Sequence, residues 1–344
     1  MARNDISFAS FNLLNLQLPG QPVYSDSDGW DADVYARKIE WSGRTLRRLA
    51  ADVIGFQELW AAQALDEALA QAGLDATHTA LVPPGHSGNR IVCAGAVRSD
   101  ILVGDPEWIT AFPDEMVLRS GGDDPQQAHI SVSLNSFSRP VLHFRVQPDP
   151  DTPVIEVFVA HFKSRRPAEI WREDWYDRDT HGAHATAIGY ALSTIRRTAE
   201  AAALRVLMTN IAKGSHVPVV AIGDMNDGKA SNTLNVLTEQ PRYLSTLSTG
   251  GGDNALYVAQ TLQEYRSVRD VYYTHVFNDQ HDSLDHILAS EQFYDNSTDR
   301  LWAFDEMTVE NDHLNFDDHK TSGTADHGVI RAAFKWKPAA GASA

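Results

Sequence analysis

"VPVVAIGDMNDG", residues 217–228, sets a β-branched apolar run against a sudden cluster of oxygen ligands. Val217, Val219, Val220 and Ile222 gain by burial in a strand, whereas Asp224, Asn226 and Asp227 gain nothing from it. Gly223 and Gly228 bracket the change and mark sharp turns of the backbone. Polar groups at the carboxyl end of a buried strand are where α/β proteins place their chemistry. An isolated Gly-Asp-Met-Asn reads equally well as an Asx-rich turn. The choice depends on whether other strands end in the same manner.

They do. Upstream, "VIEVFVA" at 154–160 runs into His161-Phe162-Lys163. Residues 185–213 read as a long helix with Ile188, Ala191, Ile195, Ala199, Ala202 and Val206 as one apolar stripe, stopped at Lys213-Gly214. Nearer the amino terminus, "ISFASFN" at 6–12 ends in Asn12, and "DVIGFQE" at 52–58 ends in Gln57-Glu58. Between them Tyr35, Ile39, Ser42, Leu46 and Leu49 fall at helical spacing over 31–50, with Asp31 or Asp33 as cap. A second helix over 60–72 stops at Gly73. Strands are expected near 91–97, 129–135 and 140–146, separated by the turn-rich "SGGDDPQQ" and "QPDPDTP". Downstream, strands near 286–289 and 328–334 start beside Asp285 and Asp326-His327. Two strand–helix–strand units bracketing a block of hairpins indicate α/β layers. The expectation is one catalytic domain over 1–336, with 337–344 a flexible tail.

Composition narrows the function classes. The 344 residues are 43% hydrophobic and 22% charged, an ordinary globular balance. No apolar run approaches the roughly 20 residues that span a bilayer, so no stable membrane insertion is expected. "MARNDISFAS" lacks a basic-then-apolar signal pattern, which points to the cytoplasm unless a processed form is exported. The single cysteine, Cys93, excludes an intramolecular disulfide and reads as a small core residue. The net charge of −17 excludes holding nucleic acid through the global field, so any such site is a local basic patch. Clustered carboxylates are what Mg²⁺ or Ca²⁺ prefers.

Asn12, "QE" at 57–58, "GDMN" at 223–226, "SLDH" at 283–286 and "DHG" at 326–328 resemble the ordered motifs of the endonuclease/exonuclease/phosphatase superfamily. Its members include pancreatic-type deoxyribonucleases, abasic-site endonucleases, neutral sphingomyelinases and inositol polyphosphate phosphatases. The resemblance spans residues 6 to 334 and extends to "FSRPVLHFRV" and "VIEVFVAHFKSRR", similar to the nuclease branch. It implies a four-layer α/β sandwich, two packed β-sheets flanked by helices, and hydrolysis of phosphoesters by a metal-assisted water. One departure stands out: the deoxyribonuclease branch gives the mid-chain histidine a carboxylate from an earlier strand. "GNRIVCAGAVR" offers Asn89 and Arg90 there but no acid.

The residue types suit that chemistry. Glu58 and Asp326 offer anionic oxygens to a hard cation such as Mg²⁺, Mn²⁺ or Ca²⁺, and Asn12 a neutral oxygen or an amide donor. Asp224 is the candidate to orient and deprotonate water, with Asn226 holding a phosphoryl oxygen or metal water. His327 can meet charge developing on phosphorus, with Asp285 fixing its tautomer. His161 either protonates the leaving oxygen or binds phosphate. Arg139 and Lys163 supply phosphate contacts. Trp171, Trp175 and Tyr176 among Arg165, Arg166, Arg172 and Arg178 can stack bases or meet a lipid interface. The expected protein is a divalent-metal phosphodiesterase of nuclease type, acting on DNA or RNA through a local basic patch, with no obligate protein partner. The alternatives are a sphingomyelinase-type lipid phosphodiesterase, a small-molecule phosphatase and, last, a non-catalytic module on the same fold.

Overall fold

The computed structural model describes residues 4–24, 29–121, 129–241, 243, 255–267 and 272–342. The chain opens with β1 (Ile6–Leu16), α1 (Ala32–Leu49), β2 (Val53–Leu59), α2 (Ala62–Ala72), β3 (His78–Leu81) and β4 (Val92–Arg98). Next come β5 (Leu102–Ala111), the short β6 (Arg119–Ser120) and β7 (Ile130–Ser131), β8 (Ser136–Val146) and β9 (Ile155–His161). The brief α3 (Arg178–His181) precedes the long α4 (Ala185–Ala212), β10 (Val219–Asp224) and α5 (Asn232–Thr238). Then follow β11 (Tyr257–Val258), α6 (Ala259–Arg266), β12 (His275–Phe277) and β13 (Gln280–Asp282). The last elements are β14 (Asp285–Ala289), β15 (Trp302–Glu310), α7 (His319–Ser322) and β16 (Val329–Trp336).

Two six-stranded mixed sheets form, in the orders β15-β16-β1-β2-β4-β3 and β11-β14-β10-β9-β8-β5. Their inner faces meet through Phe8, Val53, Val157, Val159, Val220 and Ile222. Each such side chain, taken fully out of water, contributes roughly 1.5–3 kcal/mol. Gly55 allows the sheets to approach, because a Cβ there would stand 3.0 Å from the Val159 methyls and 3.1 Å from Ile222. On the outside, Tyr35, Trp41, Leu46, Leu65 and Leu69 of α1 and α2 cover the first sheet. Leu204 and Met208 of α4, with Leu234 and Leu237 of α5, cover the second. This is the four-layer sandwich expected from the sequence.

Asp31 starts α1 by accepting from Val34 N at 2.9 Å, as a helix cap does. Two readings change. The strand expected near 129–135 is only Ile130–Ser131, paired with β6, and 122–128 of the turn-rich loop lie outside the described residues. The stripe assigned to α4 is not its buried face: Ile195 is 44% exposed, while Ser193, Arg197 and Glu200 are buried. The first half of α4 packs on polar backbone. Ser193 Oγ donates to Arg166 O at 2.8 Å, and Glu200 accepts from Ser138 N at 2.8 Å and Lys163 N at 2.7 Å. A buried carboxylate that satisfies two backbone donors replaces the apolar contact that the pattern suggested.

Candidate active site

The strand ends converge on Asp224. β10 lies parallel to β9 and antiparallel to β14, in a register that sets Asp224 level with His161 on one side and Asp285 on the other. Gly223 makes the fit possible. Its φ is +146°, and a Cβ there would fall 2.0 Å from Ala160 O. From the facing sheet, Asn12 Nδ2 donates to Asp224 Oδ2 at 3.2 Å, while Asn12 Oδ1 accepts from Leu14 N at 3.0 Å. Asn226 N donates to Asp224 Oδ1 at 2.8 Å, and Asn226 Nδ2 to Phe162 O at 3.0 Å. His161 Nε2 lies 3.4 Å from Asp224 Oδ2 and 4.0 Å from Glu58 Oε1. His327 reaches across with Nε2 at 3.9 Å from Asp224 Oδ2, its Nδ1 lying 2.8 Å from Asp285 Oδ2. Asn15 (φ +51°), Glu58 (φ +62°) and Asn226 (φ +53°) all adopt left-handed backbone around this point. Such conformations persist in non-glycine residues where surrounding structure imposes them.

Burial and neighbours drive the groups apart in charge. Burial pushes the Asp224 carboxyl up to about 7, with His327 opposing and Asp285 adding. His161 is held well below the ordinary imidazole value, by burial first and then by Arg139 and His327. It is therefore neutral near pH 7, and its buried Nδ1 has no hydrogen-bond partner among the described residues, in keeping with the missing acid in "GNRIVCAGAVR". His327 goes the other way. Burial works against its charge, but Asp285 and Asp224 prevail and hold it well above the ordinary value. Two histidines within reach of one carboxylate thus carry different charge.

Glu58 fits a cation site. Its Oε2 accepts from Asn15 N at 3.0 Å, and its acidity is weakened by burial and then by Asp326. A carboxylate pair that repels in this way is relieved by a hard divalent ion. Asp224, Asp285 and His327 also bring ligand atoms within 4.8 Å of one another. Within that trio His327 Nδ1 is already held by Asp285 Oδ2 at 2.8 Å, which leaves Nε2 facing Asp224. Asn12, as placed here, spends its oxygen on Leu14 and turns its amide to Asp224.

Arg139 and Lys163 sit at the rim. Arg139 Nη1 donates to Phe162 O at 3.0 Å, and the Lys163 ammonium is lowered by burial and by Arg139. Arg165 is engaged elsewhere: its Nη2 lies 3.0 Å from Asp227 and 2.8 Å from Asp282, which ties the loop after β9 to the turn after β10 and to the end of β13. The residue that pattern reading passed over is Lys38. It is fully buried on α1, and its Nζ lies 4.6 Å from the Trp30 ring centroid without a hydrogen-bond partner among the described residues. Burial lowers it to about 7 against the fields of Asp326 and Glu58. Its signal was position alone: Lys38 lies three residues after Tyr35 and four before Ser42, on the inward face.

A profile described as the Endonuclease/Exonuclease/phosphatase family matches residues 42–327. No curated protein sequence matches the chain. Among solved structures, an endonuclease/exonuclease/phosphatase from Bacteroides vulgatus superposes with a TM-score of 0.54 at 12% identity, over 97% of this chain and 99% of that one. The human Nocturnin catalytic domain with bound sulfate anion gives 0.53 at 13%, over 97% and 96%. D. rerio TDP2 complexed with single strand DNA product gives 0.54 at 15%, over 96% and 99%. At these identities the likeness is one of fold.

Proposed function

Because the chain belongs to the Endonuclease/Exonuclease/phosphatase family, we propose that it is a divalent-metal-dependent phosphodiesterase of nuclease type. The observation that carries this reading is Asp224, a buried carboxyl raised to about 7 and flanked by one neutral and one cationic histidine. A base poised near neutral pH takes a proton from water effectively. Asp224 Oδ2 receives it, while Asn226 N and Asn12 Nδ2 hold the carboxylate in place. His327, kept protonated by Asp285, presents Nε2–H to the charge that builds on the phosphoryl oxygens. His161, neutral and buried, serves as a hydrogen-bonding partner to Asp224 or phosphate, since a cationic acid is disfavoured there. Arg139 and Lys163 anchor the non-reacting phosphate oxygens. Glu58 and Asp326 would hold a Mg²⁺ or Mn²⁺ ion, which polarises the phosphoryl group as a Lewis acid.

The test is hydrolysis of bis-p-nitrophenyl phosphate, single-stranded DNA and RNA with Mg²⁺, Mn²⁺ or chelator. Turnover that depends on the metal and is lost in His327→Ala supports the reading, and full activity in excess chelator overturns it. One observation favours a lipid substrate instead. A cavity of about 600 Å³ beside His327 is lined by Tyr190, Phe277 and Leu284, with Phe277 64% and Tyr190 47% exposed. Sphingomyelin vesicles in the same assay separate the two.

A further inference from the structure

On the other flank, a cavity of about 810 Å³ opens beside Arg139 and Lys163 and runs to Tyr24, Trp60, Asn89 and Arg90. Among the described residues no carboxylate lines it, in a chain with 46 acidic and 29 basic residues. Arg98, Arg165, Arg197, Arg205 and Arg266 are each paired with an acid. Among the described residues, no such pair is found for Arg90, Arg139 or Lys163. Unpaired cations gathered in one concave site attract an anion. The cavity also has an aromatic corner. Tyr24 is 50% exposed and meets the buried Trp60 edge-on, with ring centroids 5.1 Å apart at 88°. Trp60 is fixed from behind, its Nε1 donating to Asn15 Oδ1 at 2.9 Å, and Asn15 N in turn holds Glu58. The tyrosine phenol is pushed up by burial and then by Glu58, so the ring stands within the field of the proposed metal carboxylate. A flat hydrophobic surface, one exposed and two half-buried cations and the amide of Asn89 together suit a group that is both anionic and planar.

We infer that this cavity binds one nucleotide unit of the substrate, its base against Tyr24 and its phosphate toward Arg90, Arg139 and Lys163. The inference rests on the phosphodiesterase reading of the adjoining site and names its substrate class. Base–aromatic stacking is worth about 1–3 kcal/mol per base, roughly 5- to 150-fold in affinity. Inorganic phosphate or ribose 5-phosphate can use the cations but not the ring.

The experiment is calorimetric titration of the Mg²⁺-loaded protein with adenosine 5′-monophosphate, ribose 5-phosphate and inorganic phosphate. The wild type should bind the nucleotide at least about 5-fold more tightly than ribose 5-phosphate. Tyr24→Ala should erase that difference and Tyr24→Phe keep it, whereas Arg90→Ala should weaken both phosphates alike. Equal affinity for nucleotide and sugar phosphate, or a base preference untouched by Tyr24→Ala, overturns the inference. Hydrolysis of bis-p-nitrophenyl phosphate by the same preparations keeps the two readings apart. Hydrolysis without base preference sinks the nucleotide pocket alone; base preference without metal-dependent hydrolysis upholds the pocket and sinks the proposed reaction.

Discussion

Replacing Asp224 with Asn should inactivate the protein and stabilise it at the same time. Burial raises this carboxyl from 3.8 to about 7, so the folded chain holds a proton that the unfolded chain has released across that interval. A group whose affinity for the proton is raised by folding gives its full stability below the unfolded value and loses it as pH rises through the folded one. Each tenfold change in acidity corresponds to about 1.4 kcal/mol, which sets a ceiling of about 4 kcal/mol above pH 7. Asparagine avoids that charge but loses part of the gain. Its Oδ1 can still accept from Asn226 N, whereas its amide would face Asn12 Nδ2, donor against donor. A net gain of about 1–3 kcal/mol at pH 8 is expected. Urea unfolding in chelator, repeated from pH 4 to 8, reads it directly: the advantage of Asp224→Asn should grow up to about pH 7 and then level off. A variant less stable than wild type at pH 8, or an advantage independent of pH, would refute the picture of a desolvated base.

His327→Ala and Asp285→Asn should not add: at 2.8 Å the acid acts through the imidazole, so the double variant should show the kcat of His327→Ala, a loss of about 10²-fold or more. Additive losses would separate the two residues. The pH profile of kcat/KM should rise through about 7 as Asp224 ionises and fall only well above 6.5, where His327 loses its proton; no limb should belong to His161. Lys38 moves the opposite way to Asp224, from 10.5 to about 7, so the unfolded chain binds more protons there. Wild type should therefore gain stability relative to Lys38→Met as pH rises from about 7 toward 10.5, and parallel curves would remove Lys38 from the buried network. Gly223→Ala must displace Ala160 O, which a Cβ would approach to 2.0 Å, so loss of several kcal/mol or no soluble protein is expected from circular dichroism and yield.

The central strands were legible because they are largely buried and rich in β-branched and apolar residues, β9 and β10 above all. The edge strands were not. β5 carries Gly104, Asp105 and Pro106 inside it and shifts register between Val103 and Glu107, while β15 carries Asp305 and Glu306 and shifts between Phe304 and Glu306. Edges tolerate proline, charge and bulges, which are the features that break an alternating pattern in sequence. α4 misled in a related way. Its helix was plain, but its buried face is set by Glu200 and Arg197 serving backbone groups of the loop after β9.

The same physics divides the site. Strand-terminal polar residues announce themselves, since an acid or amide after a run of valines has no packing reason to be there. Asn12, His161 and Asp224 were singled out at the ends of such runs and Asp285 at the start of one, and the register of β9, β10 and β14 needs no more than two residue pairings to bring three of them level. Charge state has no such signature. His161 and His327 are the same letter, each beside a strand end, yet burial and then Arg139 and His327 hold the first well below the ordinary imidazole value, while Asp285 and Asp224 hold the second well above it against burial. The difference depends on an acid 42 positions away from His327 and on the Arg139 cation 22 positions before His161. Lys38 is the extreme case: periodicity treats a lysine as surface, and it is the Trp30 ring with the carboxylates of β2 and the loop before β16 that give it a reason to be inside. A single chain read without its fold therefore identifies which residues meet more readily than which of them hold a proton.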